Sequence, residues 1–307
     1  MTTARYLGVD LAWREDHADL PANETGVAVI DSCGQILDAG WRRGVDEAVA
    51  WADAVANGGD AVMFVDAPLV VRNETGQRLC ETQVGQRYGR WKVSANSTNL
   101  AMPRLAGVRF LALAQARGWR YSDGRDGPPA TGRVLSESYP YGTLVGAVEL
   151  GYDTERPRYK RRPRRLPAAQ WRRERAANCD TLIGRLGQLE TADPPLRLRS
   201  HPVARRLADQ RSPVDDVAYK HCEDLIDALI CAWTAALWAR QAWTAARYSA
   251  PRAPWTAGQR RRSSFRPAPN SAADGPEGSL TWHHGAARTS ARKVRAAWND
   301  RRSAASS

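Results

Sequence analysis

The stretch Tyr6-Leu-Gly-Val-Asp-Leu-Ala-Trp13 places an acidic residue, Asp10, inside an apolar segment typical of a buried strand. A second apolar run, Val62-Met-Phe-Val-Asp-Ala-Pro68, contains Asp66 at its end. A third acid, Asp227, lies in Leu225-Ile-Asp-Ala-Leu-Ile-Cys-Ala-Trp233, which is apolar on nearly every helical face. An unpaired buried carboxylate costs several kcal/mol or becomes neutral, so three of them need a shared explanation.

Working outward from these segments, the periodicity predicts an order of three strands, a helix, a strand, a loop with a helix, a strand and further helices. An opening antiparallel meander followed by strands joined through helices indicates an α/β fold with a mixed five-stranded sheet flanked by helices. The predicted strands are Tyr6–Trp13, Gly26–Asp31, Ile36–Arg42, Ala61–Ala67 and Val134–Tyr139. The predicted helices are Val45–Ala56, Arg104–Arg117, 168–190 and one from Asp215 or Asp216 to about Arg247, with a polar loop over 69–103.

The positive charge of the chain is concentrated near its C-terminus. The net charge is +12, but residues 248–307 alone hold 11 Lys and Arg against 3 Asp and Glu. That segment has no isoleucine and one leucine, so it cannot bury enough apolar surface to offset its ordering entropy. We predict a folded domain over 1–247 and a disordered tail over 248–307. The tail could bind polyanions, although an extension without function is the simpler interpretation.

Other bulk features exclude several classes of protein. No run of about eighteen apolar residues exists, so a membrane span is not expected. The five cysteines are scattered without metal-ligand spacing, and no signal-peptide pattern is present. Together they indicate reduced thiols in a cytoplasmic protein.

The acids Asp10, Asp66 and Asp227 are candidate ligands for Mg²⁺ or Mn²⁺, because these hard cations prefer carboxylate oxygen. Asp224 stands three residues before Asp227, on the same helical face. Two such ions roughly 3.5–4 Å apart can activate a water and stabilise the leaving oxygen in phosphodiester cleavage.

Each acid also has a structural interpretation. Asp10 could pair with a buried arginine or accept backbone N–H bonds, Asp66 could end a strand and cap a turn, and Asp224 could be a solvated residue. Asp227 is the hardest to explain structurally. Glu137, in a predicted strand, could be a fourth ligand, could orient a partner, or could bond a neighbouring basic residue.

These motifs resemble a family of predicted RNase H-like nucleases, the domain of unknown function 429. The resemblance covers about 5–247 and rests on Gly8–Trp13, Val65–Leu69, Asn73–Glu81, Glu137–Tyr141, Tyr159-Lys160 and Asp224–Trp233. It implies an RNase H-like fold in which Asp10, Asp66 and Asp227 form the acidic metal site, with Glu137 and Asp224 as helpers. The Asp-x-x-Asp-Ala-Leu pattern is also similar to the last acidic helix of RuvC-type resolvases.

A basic segment, Arg156-Pro-Arg-Tyr-Lys-Arg-Arg-Pro-Arg-Arg165, could bind a nucleic-acid substrate. Its cations would neutralise phosphates, and its tyrosine could stack on a base. The candidate binding residues are Tyr159, Lys160, Arg161 and Arg162, together with Arg78, which could contact a scissile phosphate. A solvated loop is the alternative interpretation.

Three functions are compatible with the sequence. The first is a metal-dependent nuclease acting on RNA or DNA. The second is an actin-like phosphotransferase, which is disfavoured because Asp10 is followed by Leu11-Ala12-Trp13 rather than a Gly- and Thr-rich phosphate loop. The third is a non-catalytic nucleic-acid-binding module on the same fold.

Truncation after Arg247 is expected to leave the melting temperature within about one degree, because a disordered segment contributes no core. Thermal unfolding of the full chain and the truncated chain would measure this. A large loss of stability would place the domain boundary further along the chain.

Overall fold

The computed structural model describes residues 4–13, 22–124, 127–128, 131–160 and 166–240. The predicted tail, 248–307, and the predicted end of the last helix, 241–247, lie outside the described residues. No helix in the described ranges combines the length and the apolar composition needed to cross a membrane.

The described chain forms one mixed sheet with the strand order β3-β2-β1-β4-β6-β5. Its strands are β1 Arg5–Asp10, β2 Glu24–Ile30, β3 Ile36–Arg43, β4 Ala61–Val65, β5 Arg120–Tyr121 and β6 Arg133–Glu137. β1, β2 and β3 form an antiparallel meander. β4 lies parallel to β1, and β6 lies parallel to both β4 and β5. The meander therefore leads into a parallel half, as the order of predicted elements indicated.

Seven α-helices lie in the described ranges. They are α1 Gly44–Ala56, α2 Leu79–Tyr88, α3 Ala106–Ala116, α4 Pro140–Gly146, α5 Ala168–Gln188, α6 Pro202–Asp209 and α7 Asp216–Arg240. Asp215 accepts hydrogen bonds from the backbone N–H groups of Val217 and Ala218, which satisfies two donors at the start of α7.

Three features of the fold differ from the sequence-based prediction. The sheet has six strands instead of five, because a two-residue strand, β5, pairs along β6. A segment this short carries no periodicity. The predicted loop over 69–103 contains α2, whose buried face consists of Cys80, Glu81, Val84 and Tyr88. Its apolar residues Cys80, Val84 and Tyr88 recur at every fourth position, but most of the remaining residues are polar, so the helical pattern is weak. The short helices α4 and α6 were also not predicted.

The two faces of the sheet are covered by different helices. Leu7 and Val9 of β1 pack with α1 and α3. Ala28 and Ile30 of β2 pack instead with α7. Because side chains alternate along a strand, the α7 face of β1 contains Gly8 and Asp10. Asp10 therefore lies on the face covered by the helix that carries Asp227.

Two glycines allow α7 to lie directly against the sheet. A Cβ atom added at Gly8 would be 1.9 Å from the Ala228 carbonyl oxygen and 2.3 Å from the Ala232 nitrogen. A Cβ atom at Gly26 would be 2.2 Å from the Asp224 carbonyl oxygen. These are contacts with helix backbone, which cannot move aside like a flexible side chain. Any larger residue here would displace α7 from β1 and β2.

Gly8→Ala is expected to destabilise the fold by about 3 kcal/mol, because overpacking against a backbone forces the helix to shift. Gly184→Ala is the matched control, since Gly184 is exposed in α5 and an added Cβ meets nothing within 4 Å. Alanine there should stabilise the protein by about 0.5–1 kcal/mol. Urea unfolding of both variants measures the difference. An unchanged midpoint for Gly8→Ala would mean that α7 is not held this close.

Candidate metal centre

Asp10 and Asp66 meet at one edge of the sheet, where two parallel strands end. Val9 of β1 pairs with Val65 of β4, so each aspartate lies one residue beyond the last register pair. The backbone N–H of Asp66 donates to the Val9 carbonyl oxygen at 2.8 Å and fixes the two ends side by side. Because carboxyl ends of parallel strands share an edge, the two side chains are brought together.

Asp227 reaches the same point from α7. One carboxylate oxygen each from Asp10, Asp66 and Asp227 lies within 4.8 Å of the others. Asp227 is fully buried, whereas Asp10 and Asp66 are partly exposed. The three acids that interrupt apolar segments of the sequence thus form one group, which we call the acidic triad.

Tyr159 and Lys160 hold the carboxylate of Asp227. The Tyr159 hydroxyl donates to Oδ1 of Asp227 at 2.6 Å. The Lys160 ammonium makes an ion pair with Oδ2 of Asp227 and lies 3.9 Å from Oδ2 of Asp66. Oδ2 of Asp227 is buried, so its pairing with the ammonium is shielded from water. A lysine predicted to bind phosphate therefore lies inside the acidic triad.

Burial and mutual repulsion disfavour charge in this group. Burial, followed by the charges of Asp227 and Asp224, raises the pKa of Asp10 well above its ordinary value. Burial raises the pKa of Asp66 to about 7, although Lys160 opposes the shift. Burial alone would lower the pKa of Lys160, but the carboxylates of Asp227, Asp66 and Asp10 raise it well above its ordinary value. The lysine therefore stays protonated beside acids that are reluctant to ionise.

Asp224 lies at the margin of the triad. Its side chain is buried, and its Oδ1 is 2.5 Å from the Lys220 ammonium, one helical turn earlier. Burial raises the pKa of Asp224, and the charge of Lys220 opposes that rise. Its backbone carbonyl packs on Gly26, the residue opposite Asp10 in the sheet. Asp224 is therefore a neighbour of Asp10, with a cation of its own.

Glu137 is directed into a separate buried network. Along β6 it lies on the same side as Leu135, which packs with α1 and α3 rather than with α7. Its two carboxylate oxygens accept hydrogen bonds from the Arg78 guanidinium at 2.6 and 2.9 Å. The Leu69 N–H also donates to it at 3.1 Å. Of the alternatives for Glu137, the structure shows the bond to a basic residue, and it does not place Glu137 in the triad.

Arg78 is the basic partner in this network. Its guanidinium is buried and also donates to Glu81 at 2.8 Å. Glu81 in turn accepts from the backbone N–H groups of Arg78 and Thr98. This bidentate arrangement fixes α2 and the 94–98 segment to the end of β6. The structure pairs Arg78 with Glu137 and Glu81, and its predicted contact with a scissile phosphate stays a prediction.

The basic segment is only partly described. Arg161 and Arg162 lie outside the described residues, so their predicted binding role stays a prediction. Tyr159 is fully buried, so its ring has no face available for the predicted stacking on a base. Arg156 lies over the ring of Tyr141, 4.4 Å from its centroid. Its guanidinium donates to the Lys92 carbonyl oxygen at 2.7 Å.

The donor set of the acidic triad fits a hard divalent cation. Two oxygens that each lie about 2.1 Å from a magnesium ion can be at most about 4.2 Å apart. One carboxylate oxygen from each acid lies within 4.8 Å of the other two, so side-chain movements would bring all three within reach of one ion. Oδ2 of Asp227 is buried, and its charged neighbour is the Lys160 ammonium. Asp10, Asp66 and Asp227 are the residues that would hold the ion.

The triad opens into a cavity of about 780 Å³. Its walls carry both charge signs and three aromatic rings. The cations are Arg43, Arg78, Arg156, Lys160 and Lys220, and the rings are Trp13, Tyr139 and Tyr141. On the same walls, His221 and Arg43 both contact the carboxylate of Glu24. The cavity is large enough for one or two nucleotide units.

Several contacts of this site were not predicted from the sequence. Lys220 is four residues before Asp224, a spacing that predicts an ion pair on one helical face. Glu81 follows Arg78 by three residues, and its carboxylate accepts the backbone N–H of Arg78 at the start of α2. The ion pair of Lys160 with Asp227 has no local signal, because it joins residues far apart in the chain.

The fold and site define an α/β protein with an acidic group between the edge of a mixed sheet and a buried helix. The model of the family called protein of unknown function, DUF429, matches residues 8–252. The chain therefore belongs to the DUF429 family. No curated protein and no solved structure matches it significantly.

Without divalent metal, Asp66→Asn is expected to raise the melting temperature by several degrees at about pH 8 and to leave it unchanged near pH 4. The pKa of Asp66 is raised from 3.8 to about 7 in the folded protein. The free energy of unfolding therefore falls as the pH rises from about 3.8 to about 7, because Asp66 ionises freely only in the unfolded chain. The asparagine removes this penalty.

Thermal melts in chelator across this pH range measure the effect. Asp153→Asn is the control, because that side chain is exposed and lies outside the triad. A gain at about pH 8 for both variants would attribute the effect to net charge rather than to burial of Asp66.

Proposed function

We propose that this protein is a metal-dependent nuclease with an RNase H-like fold that hydrolyses phosphodiester bonds of RNA or DNA in the cytoplasm. The observation that carries the proposal is the acidic triad, in which three carboxylates from β1, β4 and α7 converge within 4.8 Å. The mixed sheet, a meander followed by parallel strands, supports the fold assignment. The five cysteines are all free thiols, which supports a reducing compartment.

The residues of the acidic triad and Tyr159 would have different roles in hydrolysis. A divalent cation held by the triad would supply an activated water and a Lewis acid at the scissile phosphate. Asp10 and Asp66 are placed by paired strand ends, and Asp227 is oriented by Tyr159. The burial of Asp227 within the packed α7 face keeps bulk water away from one side of the group. Such fixed orientation is the main requirement for phosphoryl-transfer catalysis.

The walls of the cavity support a nucleic-acid partner. Arg43 and Arg156 lie on the walls, and Lys160 lies near the triad, so a polyanion would meet cations along its path. Trp13 and Tyr139 offer aromatic surface in the same cavity. Aromatic rings beside a basic groove are the usual means of holding single-stranded nucleic acid.

A non-catalytic nucleic-acid-binding module is the second candidate function. The ion pair of Lys160 with Asp227 favours it, because an internal cation can satisfy buried acids without a metal. Metal binding and cleavage separate the two candidates.

Asp10→Asn is expected to reduce single-turnover cleavage at least about a hundredfold while nucleic acid still binds. The neutral amide cannot replace a carboxylate ligand, but the cations of the cavity remain. The measurement is a Mn²⁺ and Mg²⁺ screen over single-stranded, duplex, hybrid and junction substrates, paired with a binding titration at two salt concentrations.

Mn²⁺ should also raise the melting temperature of the wild type, and Asp227→Asn should remove most of that gain.

Asp153→Asn serves again as the control and should cleave at the wild-type rate. If Asp10→Asn also cleaves at that rate, the acids are structural and the nuclease proposal is wrong. Metal binding without cleavage of any substrate would favour the binding module.

A further inference from the structure

Lys160 occupies a position between two members of the acidic triad. Its ammonium contacts Oδ2 of Asp227 and lies 3.9 Å from Oδ2 of Asp66. The other oxygen of Asp227 accepts the Tyr159 hydroxyl. Both oxygens of Asp227 are therefore engaged by the 159–160 segment. The side of the triad between Asp227 and Asp66 already contains a positive charge.

The ammonium is held firmly in this position. Its side chain is 23% exposed. Its nitrogen lies 5.5 Å from the ring centroids of both Tyr141 and Tyr159, within reach of a cation–π interaction. Two carboxylates and two rings thus surround one ammonium group. A solvated lysine would have none of these constraints.

The neighbouring carboxylates have a different cation. Lys220 pairs with Asp224 at 2.5 Å and with Glu223 at 3.1 Å, so it is not free to neutralise the triad. When a bound cation keeps all three carboxylates of the triad ionised, the triad and Lys160 together carry a formal charge of −2, which one divalent cation neutralises. A second divalent cation at the Asp227–Asp66 side would have to displace or closely approach the ammonium, and at such distances like charges repel strongly.

We propose that the acidic triad binds one divalent cation and that Lys160 takes the place of the second cation of a two-metal site. The inference rests on the proposed nuclease function and replaces the two ions expected from the sequence with one ion and one ammonium group. In the reaction, a water oxygen bonds to phosphorus as the bond from phosphorus to the leaving oxygen breaks. One water proton finally resides on the leaving oxygen, and the other stays on the oxygen that is now bonded to phosphorus. Lys160 keeps its protons and stabilises negative charge on the phosphate.

The test counts Mn²⁺ ions by calorimetry and by electron paramagnetic resonance on the full chain at neutral pH. The wild type should bind one Mn²⁺ and show no spin-coupled pair. Lys160→Met should bind two, and its first Mn²⁺ should bind at least about tenfold more tightly, because the competing charge is gone. Lys160→Arg keeps the charge and should bind one. Lys92→Met, which removes an exposed lysine paired with Glu155, should match the wild type.

A spin-coupled pair in the wild type would overturn the inference while leaving the nuclease proposal intact, and this result does not require any variant to fold. One Mn²⁺ in both the wild type and Lys160→Met would also overturn it, because the lysine would then not occupy a metal position. If the wild type binds no Mn²⁺, the metal-dependent function itself fails. The metal-free melting temperature of Lys160→Met should fall, since the variant leaves Asp227 buried without its cation.

Discussion

The direct contact between the backbone of α7 and the strands β1 and β2 is the constraint on which the site depends. It exists because positions 8 and 26 are glycines, each facing a backbone carbonyl oxygen of the helix. The helix is thereby placed close enough for Asp227 to approach the carboxyl ends of β1 and β4. A wider gap would separate Asp227 on α7 from the two acids at the sheet edge.

That close approach buries carboxylates, and other residues of the site reduce the cost of burying their charge. Acids in a packed interior are unstable as charges unless each has a partner. Asp227 receives a hydroxyl and an ammonium from the 159–160 segment, and Asp224 receives Lys220. The partners come from different parts of the chain, so the polar network ties the 159–160 segment to the apolar centre of α7. The burial of Asp227 therefore depends on the placement of this segment.

The sequence predicted the order of the elements and the acids of the triad because those signals are local. An aspartate inside an apolar run, such as Asp10, is recognisable without any structure. Glu137 shows where this approach fails, because the identity of its partner depends on which face of β6 it occupies and on a helix, α2, with weak periodicity. Tyr159 was assigned to base stacking because a tyrosine among arginines resembles a binding loop. Its burial follows from the bonds to Asp227 and Tyr219, which only the tertiary fold provides.

The buried network of Arg78, Glu81 and Glu137 has a consequence for sequence variation within the family. One guanidinium joins the two carboxylates. Loss of any one of the three side chains leaves a buried charge without one of its partners. Replacement of all three by apolar residues of similar volume removes that penalty. A chain with only one of the three replaced is therefore less stable than a chain with none or all of them replaced. The three positions should therefore vary together among relatives, and their covariation would trace the contact between α2 and β6 in chains whose structures have never been determined.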